Sequence, residues 1–202
     1  MSATIQSIDA ILVDIPTIRP HQLSMTTMAV QSMVIVRVKD SAGMEGLGEA
    51  TTIGGLAYGS ESPESVKLTI DTYLAPLLIG QPASNINTLK VRLNNNTRGN
   101  HLAKSAIETA LLDMQGKRLN RSVSDLLGGA VHQHIPVLWT LASGNTANDI
   151  DEALSLIAAK RHCDFKLKIG SRALMDDVRH VAAIKAAVGD SASVRVDVNQ
   201  AW

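Results

Sequence analysis

The sequence predicts an α+β domain over residues 1–130, followed over 131–202 by the alternating strands and helices of a parallel sheet. Two observations carry this. Strand-like runs cluster in the first fifty residues, and helical periodicity takes over from there to about residue 127. After Pro136 the pattern switches to strand, helix, strand, helix, strand, the spacing of right-handed crossovers between parallel strands.

In the first domain, Ile5 to Ile15 is apolar-rich and stops at Pro16. Met33 to Val38 and Met44 to Glu49 flank the turn Asp40-Ser41-Ala42-Gly43 and predict a hairpin. Thr17 to Val30 has weak periodicity and reads as an excursion loop, and a second loop, Thr51 to Ser60, carries Gly54, Gly55 and Gly59. Ser62-Pro63 is an N-cap followed by proline at the first helical position, starting a helix toward Leu74. Asn87 to Leu93 is a shorter helix. Leu102, Ala106, Ala110 and Met114 recur every fourth residue, predicting a helix from about Asn100 to Leu119 with one buried face. Gly128-Gly129 ends the α-structure. In the second region the predicted strands are Val137 to Ala142, Phe165 to Ile169 and Val194 to Val198, with helices over Asp149 to Lys160 and Met175 to Val188 between them.

Composition narrows the function. The 202 residues are 45% apolar, enough for one large or two small cores. Nineteen acidic and nineteen basic side chains leave no net charge to attract nucleic acid or an anionic membrane. Aromatic residues at 2% offer no base-stacking platform. A single cysteine, Cys163, excludes an internal disulfide and a cysteine-rich zinc site. The first residues show neither a basic nor an apolar signal region, and the longest apolar run, Tyr73 to Ile79, is interrupted by Pro76. A cytoplasmic protein is expected.

The candidate chemistry sits on the last two strands. The pleat sends Phe165, Leu167 and Ile169 to one face and Lys166 and Lys168 to the other. The valines of Val194 to Val198 share one face, and Arg195, Asp197 and Asn199 share the opposite one. Ammonium groups roughly 7 Å apart on a strand repel by about 2.4 kcal/mol at an effective dielectric of about 20. That favours proton loss from one of them and makes a general acid or base. Alone, Lys-x-Lys is more often a solvated edge than a catalytic pair, and Asp-x-Asn more often a turn or a capping device than a metal site. Ending successive parallel strands, both pairs project at one end of one sheet, where barrel enzymes gather their catalytic groups. His132 and His134 precede the first βα strand and read as surface residues. Glu49 reads as structural and Cys163 as an ordinary thiol.

Five blocks of residues in register closely resemble bacterial muconate cycloisomerases, of the mandelate racemase/muconate lactonizing enzyme family in the enolase superfamily. They are Val13 to His21, Gly48 to Gly59, Trp139 to Gly144, Phe165 to Gly170 and Arg195 to Gln200. The resemblance implies an α+β capping domain followed by the first βαβαβ units of a TIM-type (β/α) barrel. It also implies interconversion of cis,cis-muconate and muconolactone in catechol breakdown, with Mn2+ or Mg2+ as cofactor. Lys168 would protonate the enolate carbon, and Lys166 would be its charged neighbour, contacting the substrate carboxylate. Asp197 would ligate the metal and Asn199 would line the site. Ile53 and Tyr58, with the loop from Arg19 to Met25, would close over a small dicarboxylate and set specificity. A homo-oligomer is expected at full length.

A complete barrel takes about 250 residues, far more than follow His134. The family's further metal ligands and its second catalytic lysine fall on later strands. The expectation is therefore a truncated barrel, without turnover on its own. Two rival readings accompany it: chloromuconate cycloisomerase or another racemase or epimerase of the superfamily, and a non-catalytic protein that oligomerises through its capping domain.

Overall fold

The computed structural model describes residues 3–201. These form two compact units. One takes the chain up to Ile15 together with Gln31–Val131, and the other takes Pro16–Val30 together with the chain from His132 onward.

The first unit is built on a sheet of order β1 (Ile5–Gln22), β2 (Thr27–Asp40) and β3 (Glu45–Thr51). β2 and β3 are antiparallel with Val36 opposite Gly48 and Val38 opposite Gly46, as the hairpin reading requires. Asp40 holds the turn: its Oδ1 accepts the Ala42 and Met44 amides, and Arg118 pairs with its Oδ2. Burial opposes ionisation of this carboxyl, but the Met44 amide and Arg118 outweigh it and lower its pKa.

Thr17 to Val30 is not an excursion loop. It is the distal part of β1 and β2, joined by a turn in which Leu23 donates its amide to the Thr26 carbonyl. Pro16 and Pro20 donate no ladder bond, but β1 is a sheet edge, where proline is tolerated. The alternation signal fails because neither face of β1 beyond Ala10 is buried.

Helices cover the sheet. α1 (Pro63–Thr69) starts from a reciprocal cap in which Ser62 and Ser65 each accept the other's amide. It runs into a π-helical turn over Ile70–Leu74 and then α2 (Ala75–Leu78). Pro76 lacks an amide and crowds the preceding turn, and the widened turn accommodates it. α3 (Ile86–Asn96) is capped by Asn85. α4 (His101–Leu119) buries Ala106, Ala110 and Met114 against β3. The approach is backbone to backbone: a Cβ on Gly48 would lie 1.9 Å from the Ala106 carbonyl oxygen, and one on Gly46 2.0 Å from that of Ala110. α5 (Val123–Leu126) follows, and residues 128–137 are exposed throughout.

The second unit carries the parallel sheet β4 (Trp139–Leu141), β5 (Asp164–Lys168) and β6 (Ser193–Asp197), in that order. α6 (Thr146–Ala158) and α7 (Leu174–Val188) form the crossovers and pack on each other. Leu141, Ala153, Phe165, Leu167, Ile184 and Val188 make the core. The valine face of β6 departs from expectation: Val194 reaches the core, but Val196 is 50% exposed. Strand alternation also ends at Asp197. Asn199 enters a left-handed turn (φ 46°) with Gln200 (φ 66°), so it takes its place through that turn and not through the pleat. Among the described residues no helix is long and apolar enough to cross a membrane.

Candidate functional site

The parallel register sets Lys168 opposite Asp197 and Lys166 opposite Arg195. Period-two alternation puts both lysines on the same side of β5, with Phe165 and Leu167 buried on the other. Lys168 Nζ donates to Asp197 Oδ2 at 2.9 Å, and Lys166 Nζ lies 3.3 Å from the same oxygen. The Lys168 side chain is 9% exposed and that of Lys166 29%. The repulsion expected between the two ammonium groups is thus offset by one shared anion. Asp197 Oδ1 accepts the Asn199 amide at 3.0 Å. Burial disfavours the Asp197 carboxylate, but the Lys168 hydrogen bond, the Asn199 amide, the Lys168 charge and Lys166 together pull its pKa down to about 2. Asn199 is itself buried and follows Asp197 at the mouth of the strand.

The turn joining β1 and β2 belongs to this neighbourhood. The Gln22 amide donates to the Ala142 carbonyl just past β4, and the Ser24 hydroxyl donates to the Asn199 carbonyl just past β6. Arg19 holds the Glu152 carboxylate with two nitrogens and also donates to the Thr140 carbonyl, while Trp139 Nε1 donates to Glu152 Oε1. Arg19 is therefore committed to this anchor. His21 titrates below its ordinary range because of burial, then the charges of Lys168, Arg19 and Lys166. It stands among the site's cations with no sequence motif to announce it. Sequence reasoning also missed the buried trio Asp149, Asp177 and His180 beneath the sheet's exit turns. Only their helical placement was readable.

Ile53 and Tyr58 lie in the first unit, both partly exposed, on the loop after β3. They line a cleft of about 320 Å³ with Thr52, Glu61 and Leu102 among its walls. His132 and His134 are exposed, as read from the sequence, and Glu49 and Cys163 are exposed too.

A divalent cation finds little here. No group of three or more His, Cys, Asp or Glu side chains among the described residues is placed to hold a metal. At the lysines the available carboxylate is Asp197, whose oxygens already serve two ammonium groups and an amide. Mg2+ and Mn2+ prefer several oxygen ligands, and the described residues alone do not fit one. What the geometry does offer is one nearly buried ammonium group and a second beside it, gathered on a single carboxylate oxygen at the exit of the strand.

Comparison with known proteins places the chain in a known class. Residues 7–128 match the mandelate racemase / muconate lactonizing enzyme N-terminal domain, and residues 148–202 match the enolase C-terminal domain-like model, so the chain belongs to the mandelate racemase / muconate lactonizing enzyme family. Among its relatives, muconate cycloisomerase 1 of Pseudomonas putida is 59% identical over the whole of this chain and 54% of its own length. A chloromuconate cycloisomerase of Pseudomonas sp. strain P51 is 50% identical, over 98% of this chain and 53% of that protein. In structure, the chain superposes with a TM-score of 0.98 and 60% identity on muconate lactonizing enzyme from Pseudomonas fluorescens complexed with muconolactone, covering 54% of it. The chain spans about half the length of the curated relatives it matches.

Proposed function

We propose that the protein containing this chain is a muconate cycloisomerase, interconverting cis,cis-muconate and muconolactone in catechol degradation. The observation that carries the proposal is Lys168, almost buried and ion-paired to Asp197 with Lys166 on the same oxygen. In the forward direction one substrate carboxylate oxygen adds across a double bond, and the resulting enolate carbon takes a proton from Lys168. In reverse Lys168 removes that proton. The reaction is an isomerisation, so no atom is gained or lost. Lys166 supplies a second positive charge for the carboxylate at which negative charge develops.

The proposal extends to the rest of the assembly. Residues 1–130 are a capping domain, and 131–202 are the opening units of a TIM-type barrel. Ile53, Tyr58 and the Arg19–Met25 segment select a small dicarboxylate, and Asn199 lines the site. The family's divalent cation, Mn2+ or Mg2+, belongs to this reading, with Asp197 as the one candidate ligand described in this chain. A homo-oligomer in the cytoplasm is the proposed setting.

The test is Lys168→Met in that protein, followed by the formation of muconolactone from muconate. Loss of a general acid costs about 10²- to 10⁴-fold in rate, with little change in KM. A variant that turns over at the parent rate would falsify the assignment. The identity shared with chloromuconate cycloisomerases supports a second reading, separated by relative rates on muconate and chloromuconates.

A further inference from the structure

Two of the turns that leave the sheet at its lysine-bearing end, those after β4 and β5, are each pinned by a buried aspartate. After β4, the Ser143 amide donates to Asp149 Oδ1 at 3.0 Å; after β5, the Gly170 amide donates to Asp177 Oδ2 at 2.7 Å. Each aspartate sits in the opening turns of the helix that follows, α6 or α7, and each is 1% exposed. His180, one turn farther along α7 and 2% exposed, reaches across to α6. Its Nδ1 is 2.8 Å from Thr146 Oγ1. Its Nε2 faces Asp149 Oδ2 at 3.6 Å, and neither of those two atoms has a hydrogen-bond partner among the described residues. Arg172, on the turn after β5, pairs with Asp177 Oδ1 at 3.2 Å.

We infer that His180, in its uncharged form, is a positioning residue that holds the turn after β4 and the turn after Lys168 as one piece, and that a proton added to it releases both together. In the uncharged ring Thr146 donates to Nδ1, and the proton on Nε2 points at Asp149. Protonation forces the Thr146 hydroxyl to reverse into an acceptor. It also places a cation in a sealed pocket beside Arg172, where only a hydrated, opened arrangement accommodates it. The charged groups facing the ring are Asp149 from α6, Asp177 from its own helix and Arg172 from the turn. Burial, then Arg172, keeps the imidazole below its ordinary 6.5, outweighing Asp149 and Asp177. Gly170 is two residues beyond Lys168, so loosening this turn shifts the backbone that aims the ammonium group.

The test reads the turns and not turnover, so it stands or falls apart from the cycloisomerase reading. Amide hydrogen exchange at Ser143 and Gly170 is followed in the intact chain from pH 7 to 5, corrected for the intrinsic rate. Protection at both amides is expected to fall together, by up to about tenfold per pH unit below the ordinary histidine range. His180→Gln should flatten that slope, while His21→Gln, at a partly buried histidine of the same unit, should leave it intact. Asp149→Asn keeps an acceptor for Ser143 but removes a charge that favours the protonated ring, so the common midpoint should move to lower pH. Protection independent of pH, different midpoints for the two amides, or an unchanged slope in His180→Gln overturns the inference. Should His180→Gln not fold, Asp149→Asn decides: a lowered midpoint supports it and an unmoved one overturns it.

Discussion

Asp197 carries two ammonium groups on one oxygen, and its own ionisation is tied to theirs. Its pKa in the folded chain, about 2, is below the ordinary 3.8. The carboxylate therefore stabilises the fold above about pH 3.8, and that contribution disappears as pH falls toward 2. Asp197→Asn is expected to cost about 2 kcal/mol at neutral pH, seen as a lower denaturation midpoint. The gap between variant and parent should close as the pH approaches 2; a gap that persists there would sink the account. The lysine pair was legible from strand alternation alone, because a period of two leaves polar side chains in the middle of a buried strand no other face. Its partner's position was legible only because β5 and β6 run in parallel register. His21 and His180 were not legible, since each acquires its neighbours from segments remote in sequence.

Among the elements, β3 and α4 touch through glycine. With a Cβ on Gly48 only 1.9 Å from the Ala106 carbonyl, no rotamer relieves the clash and one backbone must move. Gly48→Ala should destabilise the first unit by about 3 kcal/mol or more, measured by chemical denaturation. Gly43→Ala serves as the comparison, because its Cβ would meet nothing within 4 Å and the remaining cost is that of its positive φ. An equal loss in both variants would contradict the packing argument. The helices and the β2–β3 hairpin were readable because caps and periodicity are local signals. The distal half of β1 and β2 was not, since neither strand has a buried face there to set an alternation. The ladder in that stretch is a property of the neighbouring strand.

At the scale of the molecule, sequence order and compact units do not coincide. Pro16–Val30 lies early in the chain yet packs with residues from His132 onward. It does so through Arg19 on Glu152, Gln22 on the Ala142 carbonyl and Ser24 on the Asn199 carbonyl. A protease acting on the exposed stretch 128–137 should cut the chain cleanly. The two pieces are nevertheless expected to co-elute on size exclusion and to part only in denaturant; separate elution in native buffer would refute this. The linear boundary near residue 130 follows from composition and element order, and neither reports that an early segment is lent to a later unit.

That loan has a consequence for recombination. A chimaera joined near residue 130 between two relatives would take Pro16–Val30 from one parent and the sheet it packs against from the other. Arg19 and Glu152, Gln22 and the Ala142 backbone, and Ser24 and the Asn199 backbone would have to agree across the graft. Crossovers that move Pro16–Val30 along with the C-terminal half keep those matches intact. Shuffled libraries should yield stably folded hybrids mainly from that double exchange, because the unit that is inherited whole is not the unit that is contiguous in the gene.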